Sequence, residues 1–385
     1  MKILLLSTGF LEYMICLANA LGSEAEVSLM LPERGLTPQY RKLITSHVRL
    51  LPFQYVDYKS VRQNFRMLLD LARTILREKP DVLHIQSNGF RLFWLLYPLL
   101  RRISIVDTVH DPSPHSGDLL SAPEPRAQRG AIKHCRAFFV HGEALREDLV
   151  KHYRVRPSAI HVIPLGEFSL YRHWRKETVP TRRYEFLFFG RIWPYKGLDG
   201  FIAAANQVAK AMPSARFTIA GAGEDIKKYE RMIESPERFE IRNYRIPEEE
   251  IDELFQRCFA VVLPYSDATQ SAVIPTAYAY GKPVIATRVG ALPEVVREGK
   301  TGYLVDAKDP AAISQKMLQM SSDEYTYKAL CAGALAFAHE QLSWGVVARR
   351  SMDVYRTVLA GSTRGDAWPL LSQKAGRRSP KTHRG

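Results

Sequence analysis

Residues 188–197 read Phe188-Phe189-Gly190-Arg191-Ile192-Trp193-Pro194-Tyr195-Lys196-Gly197, which sets an arginine and a lysine five residues apart on a glycine-bounded turn. The guanidinium offers a planar fork of donors and the ammonium a compact charge, a pairing suited to a diphosphate. The apolar run Tyr184–Phe189 before the turn reads as a buried strand. Leu198, Phe201, Ile202 and Ala205 after it recur at helical spacing. A strand-turn-helix unit places its loop at the carboxyl edge of a parallel sheet, where open α/β folds bind ligands. The competing account is a solvated loop with two ordinary surface cations.

Other residues with chemical potential sit at similar breaks. His110 closes the apolar run Ile103–Val109 and precedes Asp111-Pro112, a position that faces a crevice; a core or helix-capping histidine is the alternative. Ser7-Thr8-Gly9 ends the first apolar run. Gly221, in Ala220-Gly221-Ala222-Gly223-Glu224, ends another, as a nucleotide border or simply a tight turn. Farther on come Val261-Val262-Leu263-Pro264-Tyr265-Ser266-Asp267-Ala268-Thr269-Gln270-Ser271 and a helical pattern expected to begin at Thr269, Gln270 and Ser271. A helix start there would direct free N–H groups and about half a positive charge at a phosphate. Asp267 reads either as a ligand for sugar hydroxyls or as an N-cap aspartate. Glu294, in Gly290-Ala291-Leu292-Pro293-Glu294-Val295, follows a loop near the same edge, or is an ordinary first-turn glutamate.

The Gly-Arg…Lys-Gly loop, followed about ninety residues later by Gly281-Lys282-Pro283-Val284-Ile285-Ala286-Thr287 and Gly290-Ala291-Leu292-Pro293-Glu294-Val295-Val296, resembles the retaining glycosyltransferases of family 4. The resemblance runs from the first strand to the helix after Trp344. It implies an α/β chain of GT-B fold, two Rossmann-like domains facing each other across a cleft. It implies a nucleoside-diphosphate sugar donor, UDP- or GDP-linked, and an acceptor hydroxyl, with configuration retained. His110 would lie beside the transferred sugar, and Gly9 near the phosphates and acceptor, although the family's usual double glycine is absent. Tyr244, Arg245 and Ile246 would border the base, held mostly by backbone groups. Gly190, Arg191 and Lys196 would seat the diphosphate. Two glutamates that many members carry fall at Ala268 and Thr276 in this chain, so neither is present. The donor contacts must then differ, with Asp267 the candidate replacement for the first. A sugar-nucleotide epimerase of the same fold and a non-catalytic nucleotide-sugar-binding relic are the rival readings. No metal site and no cofactor is expected, the nucleotide sugar being a substrate.

The elements that must position these residues alternate along the chain. Strands are expected at Ile3–Leu6, Val27–Leu31, Val82–Ile85, Ile103–Val109, Ala137–Val140 and Ile160–Ile163, with helices over Ser60–Glu78 and Gly142–His152. In the second half they are expected at Tyr184–Phe189, Arg216–Ala220, Phe239–Asn243, Phe259–Leu263, Pro283–Ala286 and Gly302–Val305. Such alternation is the signature of parallel sheets. The expected division is an acceptor-binding domain over 1–170, a linker over 171–183, and a nucleotide-sugar-binding domain over 184–342. A helix over 343–360 would cross back to the first domain, leaving a basic, structureless tail over 361–385.

At 385 residues and 46% apolar, the chain suits two domains with their own cores. Cys16, Cys135, Cys258 and Cys331 have no paired spacing and read as reduced, cytoplasmic cysteines. No apolar run reaches the roughly 18 residues of a membrane span. The segment Phe90–Arg102, apolar on nearly all sides, reads as a buried helix or, with Arg62, Arg66, Arg73 and Arg77, as a platform for a lipid-linked acceptor. The net charge of +14 is uneven: residues 1–180 hold twenty-five Lys and Arg against seventeen Asp and Glu, and residues 346–385 hold nine against two. No nucleic-acid-binding motif accompanies that charge, so the expected contact is an anionic membrane at its inner face, with a merely soluble basic protein as the alternative. The partners expected are the donor, a saccharide or lipid-linked saccharide acceptor, and no nucleic acid.

Overall fold

A computed structural model describes residues 1–56, 60–86, 92–112 and 125–362. The chain order is β1 (Lys2–Ser7), α1 (Leu11–Leu21), β2 (Glu26–Pro32), α2 (Pro38–Leu43), β3 (Val48–Phe53), α3 (Val61–Glu78), β4 (Val82–Gln86), β5 (Ser104–Thr108), α4 (Pro125–His134), β6 (Ala137–Val140), α5 (Glu143–Tyr153) and β7 (Ile160–Val162). It continues with β8 (Glu185–Phe189), α6 (Leu198–Ala211), β9 (Arg216–Ala220), α7 (Lys227–Glu230), β10 (Phe239–Arg242), α8 (Glu248–Arg257), β11 (Ala260–Leu263), α9 (Val273–Ala279), β12 (Val284–Thr287), α10 (Leu292–Val295) and β13 (Gly302–Val305). Helices α11 (Pro310–Ser322), α12 (Glu324–Gln341) and α13 (Trp344–Ser362) finish the described chain.

The strands form two parallel sheets, in the orders β3-β2-β1-β4-β5-β6-β7 and β10-β9-β8-β11-β12-β13. Both are Rossmann-like α/β layers, and both carry near-continuous apolar strands because helices cover each face. Each sheet reverses its strand order once, between β1 and β4 and between β8 and β11. A crevice opens outside the carboxyl ends at each reversal. The loops that leave β1 and β8 therefore lie at the two places where a ligand fits.

Two segments differ from the sequence expectation. Strand β3, not foreseen, pairs in parallel with β2 through Val27↔Val48 to Pro32↔Phe53. It is an edge strand, which is where Pro52 is tolerated. Of the segment 90–102, Phe90 and Arg91 lie outside the described residues. The remainder is a 3-10 turn at Phe93–Leu95 and further tight turns rather than a regular helix. Pro98 explains this, since its ring and missing N–H break a helix interior. The tail expected over 361–385 lies outside the described residues from 363 onward.

Helix α13 belongs to the first domain although it follows the second in sequence. Its Val347, Ala348, Met352 and Tyr355 join the core formed by Ile3, Leu5, Leu17, Val106 and Phe139. Trp344 Nε1 donates to the Glu167 carbonyl at 2.6 Å, and the Glu167 N–H to the Leu342 carbonyl at 2.9 Å, so the two crossings between domains are tied together. The connecting segment is fastened to the second domain. Arg175 grips Asp252 with two hydrogen bonds at 3.1 and 3.0 Å, and Lys282 Nζ reaches Thr181 at 2.6 Å.

Candidate functional site

The loop after β8 carries its two cations to one place. Arg191 donates to the Tyr195 hydroxyl at 3.1 Å, and Lys196 Nζ lies 4.9 Å from the centre of the Tyr195 ring. Lys196 Nζ also sits 3.8 Å above the Tyr265 ring, on the loop that leaves β11. The loops after β8 and β11 are stitched together by the Ser266 N–H donating to the Tyr195 carbonyl at 2.8 Å. The Lys196 pKa is pushed down to about 7, first by burial and then by the neighbouring Arg191, while Asp111 and Asp267 pull the other way. Arg191, Asp111 and Asp267 thus all act on Lys196 at the reversal point of the second sheet.

Glycines make this convergence possible. Gly221 has φ +150°, and a Cβ there would fall 1.7 Å from the Gly190 carbonyl oxygen. The loop after β9 can therefore lie directly on the loop after β8. Gly197, at φ +68°, similarly abuts the Pro264 carbonyl. By contrast, a Cβ at Gly9 would meet nothing within 4 Å, so that turn borders open space. Its backbone is shaped by Ser7, whose hydroxyl pairs with both the carbonyl and the N–H of Gly9.

His110 lies in the first domain, across from the cations. Its ring stacks on Phe10 at 4.2 Å and stands 5.9 Å from Tyr13 and 5.0 Å from the ring of His141. Burial pushes its pKa down to about 3, helped by His141, so the imidazole is neutral and offers one donor and one acceptor. Neither ring nitrogen has a partner. His141 is held at Nδ1 by the Ile163 carbonyl at 2.9 Å, while its Nε2 is buried and unpaired. Burial likewise lowers its pKa, to about 4. With the Nδ1 proton given to a carbonyl, Nε2 is a fixed lone-pair acceptor.

These orphans are concentrated. Of the twelve buried side-chain N and O atoms without partners among the described residues, eight belong to Tyr13, Gln86, His110, His141, Trp193 and Gln270. Gln86 ends β4, His110 and His141 follow β5 and β6, Trp193 and Gln270 stand on the loops after β8 and β11, and Tyr13 in α1 meets both histidine rings. An unmet buried polar atom costs about 1–3 kcal/mol, so such a cluster fits a polyhydroxylated ligand that supplies the missing partners.

Other sequence candidates are placed differently. The helix expected from Thr269 begins at Val273, with Ala272 as N-cap. Pro275 sets that start: it is harmless in a first turn, but a helix begun at Thr269 would put its ring against a preceding carbonyl. The Thr269 hydroxyl instead donates to Asp111 of the first domain at 2.5 Å. Ser271 Oγ accepts from the Val273 N–H at 3.3 Å, and the Gln270 amide oxygen is buried. Asp267, six residues ahead of the helix, is not an N-cap. The Thr276 hydroxyl turns back to the Ala272 carbonyl at 2.7 Å. Ile246 packs into the second core, whereas Tyr244 is exposed and bonds Glu250 at 2.7 Å; Arg245 is exposed too. Glu294 is engaged by the first domain. Its two oxygens accept the backbone N–H groups of Glu143 and Ala144, at 2.8 and 3.0 Å, at the start of α5 in the first domain.

Sequence reading passed over Tyr13, Asp111, Trp193 and His141. A rule applied only to His110, that a polar residue closing an apolar strand faces a crevice, would also have found His141 after Ala137–Val140. The roles of Tyr13 and Trp193 arise from packing between distant segments and leave no local signal.

Residues 9–166 match the family model described as Glycosyltransferase Family 4, and residues 183–323 match that described as Glycosyl transferases group 1. The D-inositol 3-phosphate glycosyltransferase of Corynebacterium efficiens is 26% identical over 288 residues, 68% of this chain and 67% of that protein. The one from Streptomyces bingchenggensis, also 26% identical, is covered over 63% of its length, so the chain spans roughly two thirds of such relatives. Among solved structures, Anabaena Alr3699/HepE in complex with UDP-glucose matches with a TM-score of 0.70 at 18% identity, over 93% of this chain and 100% of that one.

Proposed function

Because the chain belongs to the family 4 glycosyltransferases, each half matching a model of that family, we propose that it moves a sugar from a nucleoside-diphosphate sugar to an acceptor hydroxyl with retention of configuration. The observation that carries this reading is the pairing of Arg191 and Lys196 at the reversal point of the second sheet, opposite the unsatisfied imidazoles of the first. As the glycosidic C–O bond breaks, negative charge gathers on the leaving diphosphate. Donors already held in place stabilise it, each worth about 3–4 kcal/mol of barrier. His110 and His141 supply hydrogen-bonding partners for the sugar. Asp267, close enough to act on Lys196, orients that ammonium or takes a hydroxyl. Attack from the face the diphosphate leaves lets the departing phosphate accept the acceptor's proton, so no protein nucleophile is required. Gly9 borders the open space for the acceptor.

The charge that a metal would bring is supplied by the two cations, and no further cofactor is invoked. HepE was solved with UDP-glucose, which makes uridine nucleotides the first donors to try. The acceptor is read as a saccharide or lipid-linked saccharide for a surface polysaccharide or glycolipid, met at the inner face of the cell membrane. A panel of UDP- and GDP-sugars, followed for slow donor hydrolysis and for transfer, tests the reading. Hydrolysis releasing nucleoside diphosphate supports transfer. A 2-epimer product, or tight binding with no turnover of any donor, overturns it.

A further inference from the structure

The helix α3 carries more apolar surface than its fold uses. Met67, Leu68, Leu71, Ala72 and Ile75 are buried in the first domain's core, one stripe that suffices to fix a surface helix. A second stripe is left in solvent: Val61, Phe65, Leu69 and Leu76 are 86%, 63%, 37% and 41% exposed. Their spacing confines them to an arc of about 80° on a helix of 3.6 residues per turn. Arg62, Arg66, Arg73 and Arg77 each follow one of these positions or its helical equivalent, so they form a cationic row along the same edge. Among the described residues, Arg73 is the one of the four that meets a carboxylate, Asp70 at 3.4 Å on the exposed surface. The turns that follow β4 pack into the same core through Phe93, Leu96 and Leu100 and leave Leu95 and Leu99 half exposed, ahead of the exposed Arg101 and Arg102.

We infer that α3 is a membrane-docking face that lies in the surface of an anionic phospholipid bilayer, its Val61–Phe65–Leu69 stripe inserted and its arginine row on the headgroups. The inference deepens the proposed use of a lipid-linked acceptor and rests on that reading for its purpose. No described helix is long and apolar enough to cross a membrane, so the mode is in-plane, with the stripe reaching about 5–10 Å into the headgroup boundary. The charge fits: an exposed row of four arginines, offset by the one surface carboxylate of Asp70, draws anionic lipid, and a neutral or cationic surface would gain nothing from it. The orientation fits as well. Helix α3 follows β3 and runs back to β4, so its first turn, with Val61 and Phe65, stands at the carboxyl edge of the first sheet beside the crevice. Docking there brings the acceptor side of the cleft to the lipid surface.

The test uses the full chain and co-sedimentation with phosphatidylcholine vesicles made with or without phosphatidylserine. The wild type should pellet with the mixed vesicles and far less with phosphatidylcholine alone. Each arginine replaced should weaken binding about fivefold, the equivalent of about 1 kcal/mol, so Arg62→Gln/Arg66→Gln/Arg73→Gln should lower it by two orders of magnitude. Phe65→Ser/Leu69→Ser should abolish the part of the binding that survives high salt. All five side chains are exposed, so thermal unfolding and donor hydrolysis in the absence of lipid should be those of the wild type. Unchanged pelleting of both variants overturns the inference, as does binding that salt removes completely. A stable dimer disrupted by Phe65→Ser/Leu69→Ser, with no vesicle binding, assigns the stripe to a second copy and overturns it as well. Loss of vesicle binding with donor hydrolysis intact keeps this question separate from the transfer reaction, whose failure would show as no hydrolysis with or without lipid.

Discussion

Lys196 is a cation held close to losing its proton. Burial and Arg191 set its pKa near 7, against an ordinary value above 10. A diphosphate beside it favours the charged form, so the bound pKa lies higher than the free one. Between those two values the complex holds more protons than the free protein. Donor affinity should therefore be greatest below about pH 7 and fall with rising pH, by up to tenfold per pH unit. Calorimetry of UDP binding in buffers of different ionisation enthalpy at pH 8 should show proton uptake on binding; none would mean that the ammonium does not meet the phosphates. Replacing Arg191 or Lys196 by alanine should lower kcat at least a hundredfold, corresponding to one lost donor of about 3 kcal/mol, with circular dichroism unchanged. Wild-type turnover in either variant would remove the phosphate seat. At this scale the sequence was readable where chemistry was local. The two cations between glycines do converge, on Tyr195, and the histidine after an apolar run is buried with both ring nitrogens unpaired. Trp193 and Tyr13 escaped because an indole or phenol reads as core until the unmet polar atom is located in space.

Elements were legible where hydrophobic period and length agreed, as in β8 followed by α6, and less so where one proline decided the matter. Pro275 moved the start of α9 to Val273, Pro98 broke the 90–102 segment into turns, and Pro52 disguised an edge strand. The role of Glu294 was unreadable for another reason: its partners are backbone N–H groups 150 residues away, at the start of α5. There it satisfies two of the four free donors of that helix with a charge its dipole favours. The approach is close enough that a Cβ on Gly142 would lie 2.5 Å from that of Ala291. Because the contact joins the domains, it exists only when the cleft is closed in this manner. Glu294→Gln keeps the shape and drops the charge, and Glu294→Ala removes the clasp. The expected loss is about 1 kcal/mol of closure free energy for the alanine variant, which should raise the donor KM about fivefold and increase the radius of gyration of the UDP complex in small-angle scattering. An unchanged KM and radius would show that the clasp does not govern closure.

At the scale of the molecule, the two sheets and their order along the chain were legible, because βα alternation with a reduced, apolar composition leaves few other architectures. The return of a last helix to the first domain was expected, and α13 makes it; what the sequence could not reveal is the buried polar contact that ties it there. Tyr355 on α13 meets His84 Nδ1 at 2.6 Å, and His84 Nε2 meets Thr108 at 2.7 Å, so a buried imidazole on β4 couples the last helix to the first sheet. Burial holds the pKa of His84 down to about 3, as it does for His110, and holds that of His141 to about 4. An unfolded histidine titrates near 6.5. Between pH 6.5 and these lowered values the unfolded chain binds more protons than the folded one, so stability rises with pH across that window. The contribution is fully present above about 6.5 and is lost as the pH falls toward 3. Each histidine adds at most about 1.4 kcal/mol per pH unit, so together they impose a slope of about 4 kcal/mol per unit near pH 5. Urea denaturation of the wild type at pH 7 and pH 5 should show this loss. His110→Phe and His141→Phe each remove one titrating group from the cleft and should flatten the slope by about a third. The slope of His84→Phe should flatten equally, but its stability at pH 7 should also fall, because Tyr355 and Thr108 lose their partner. A wild-type slope in the two cleft variants would mean that their imidazoles are solvated and already titrate at the ordinary value, and the neutral pair assigned to the sugar would be lost with them.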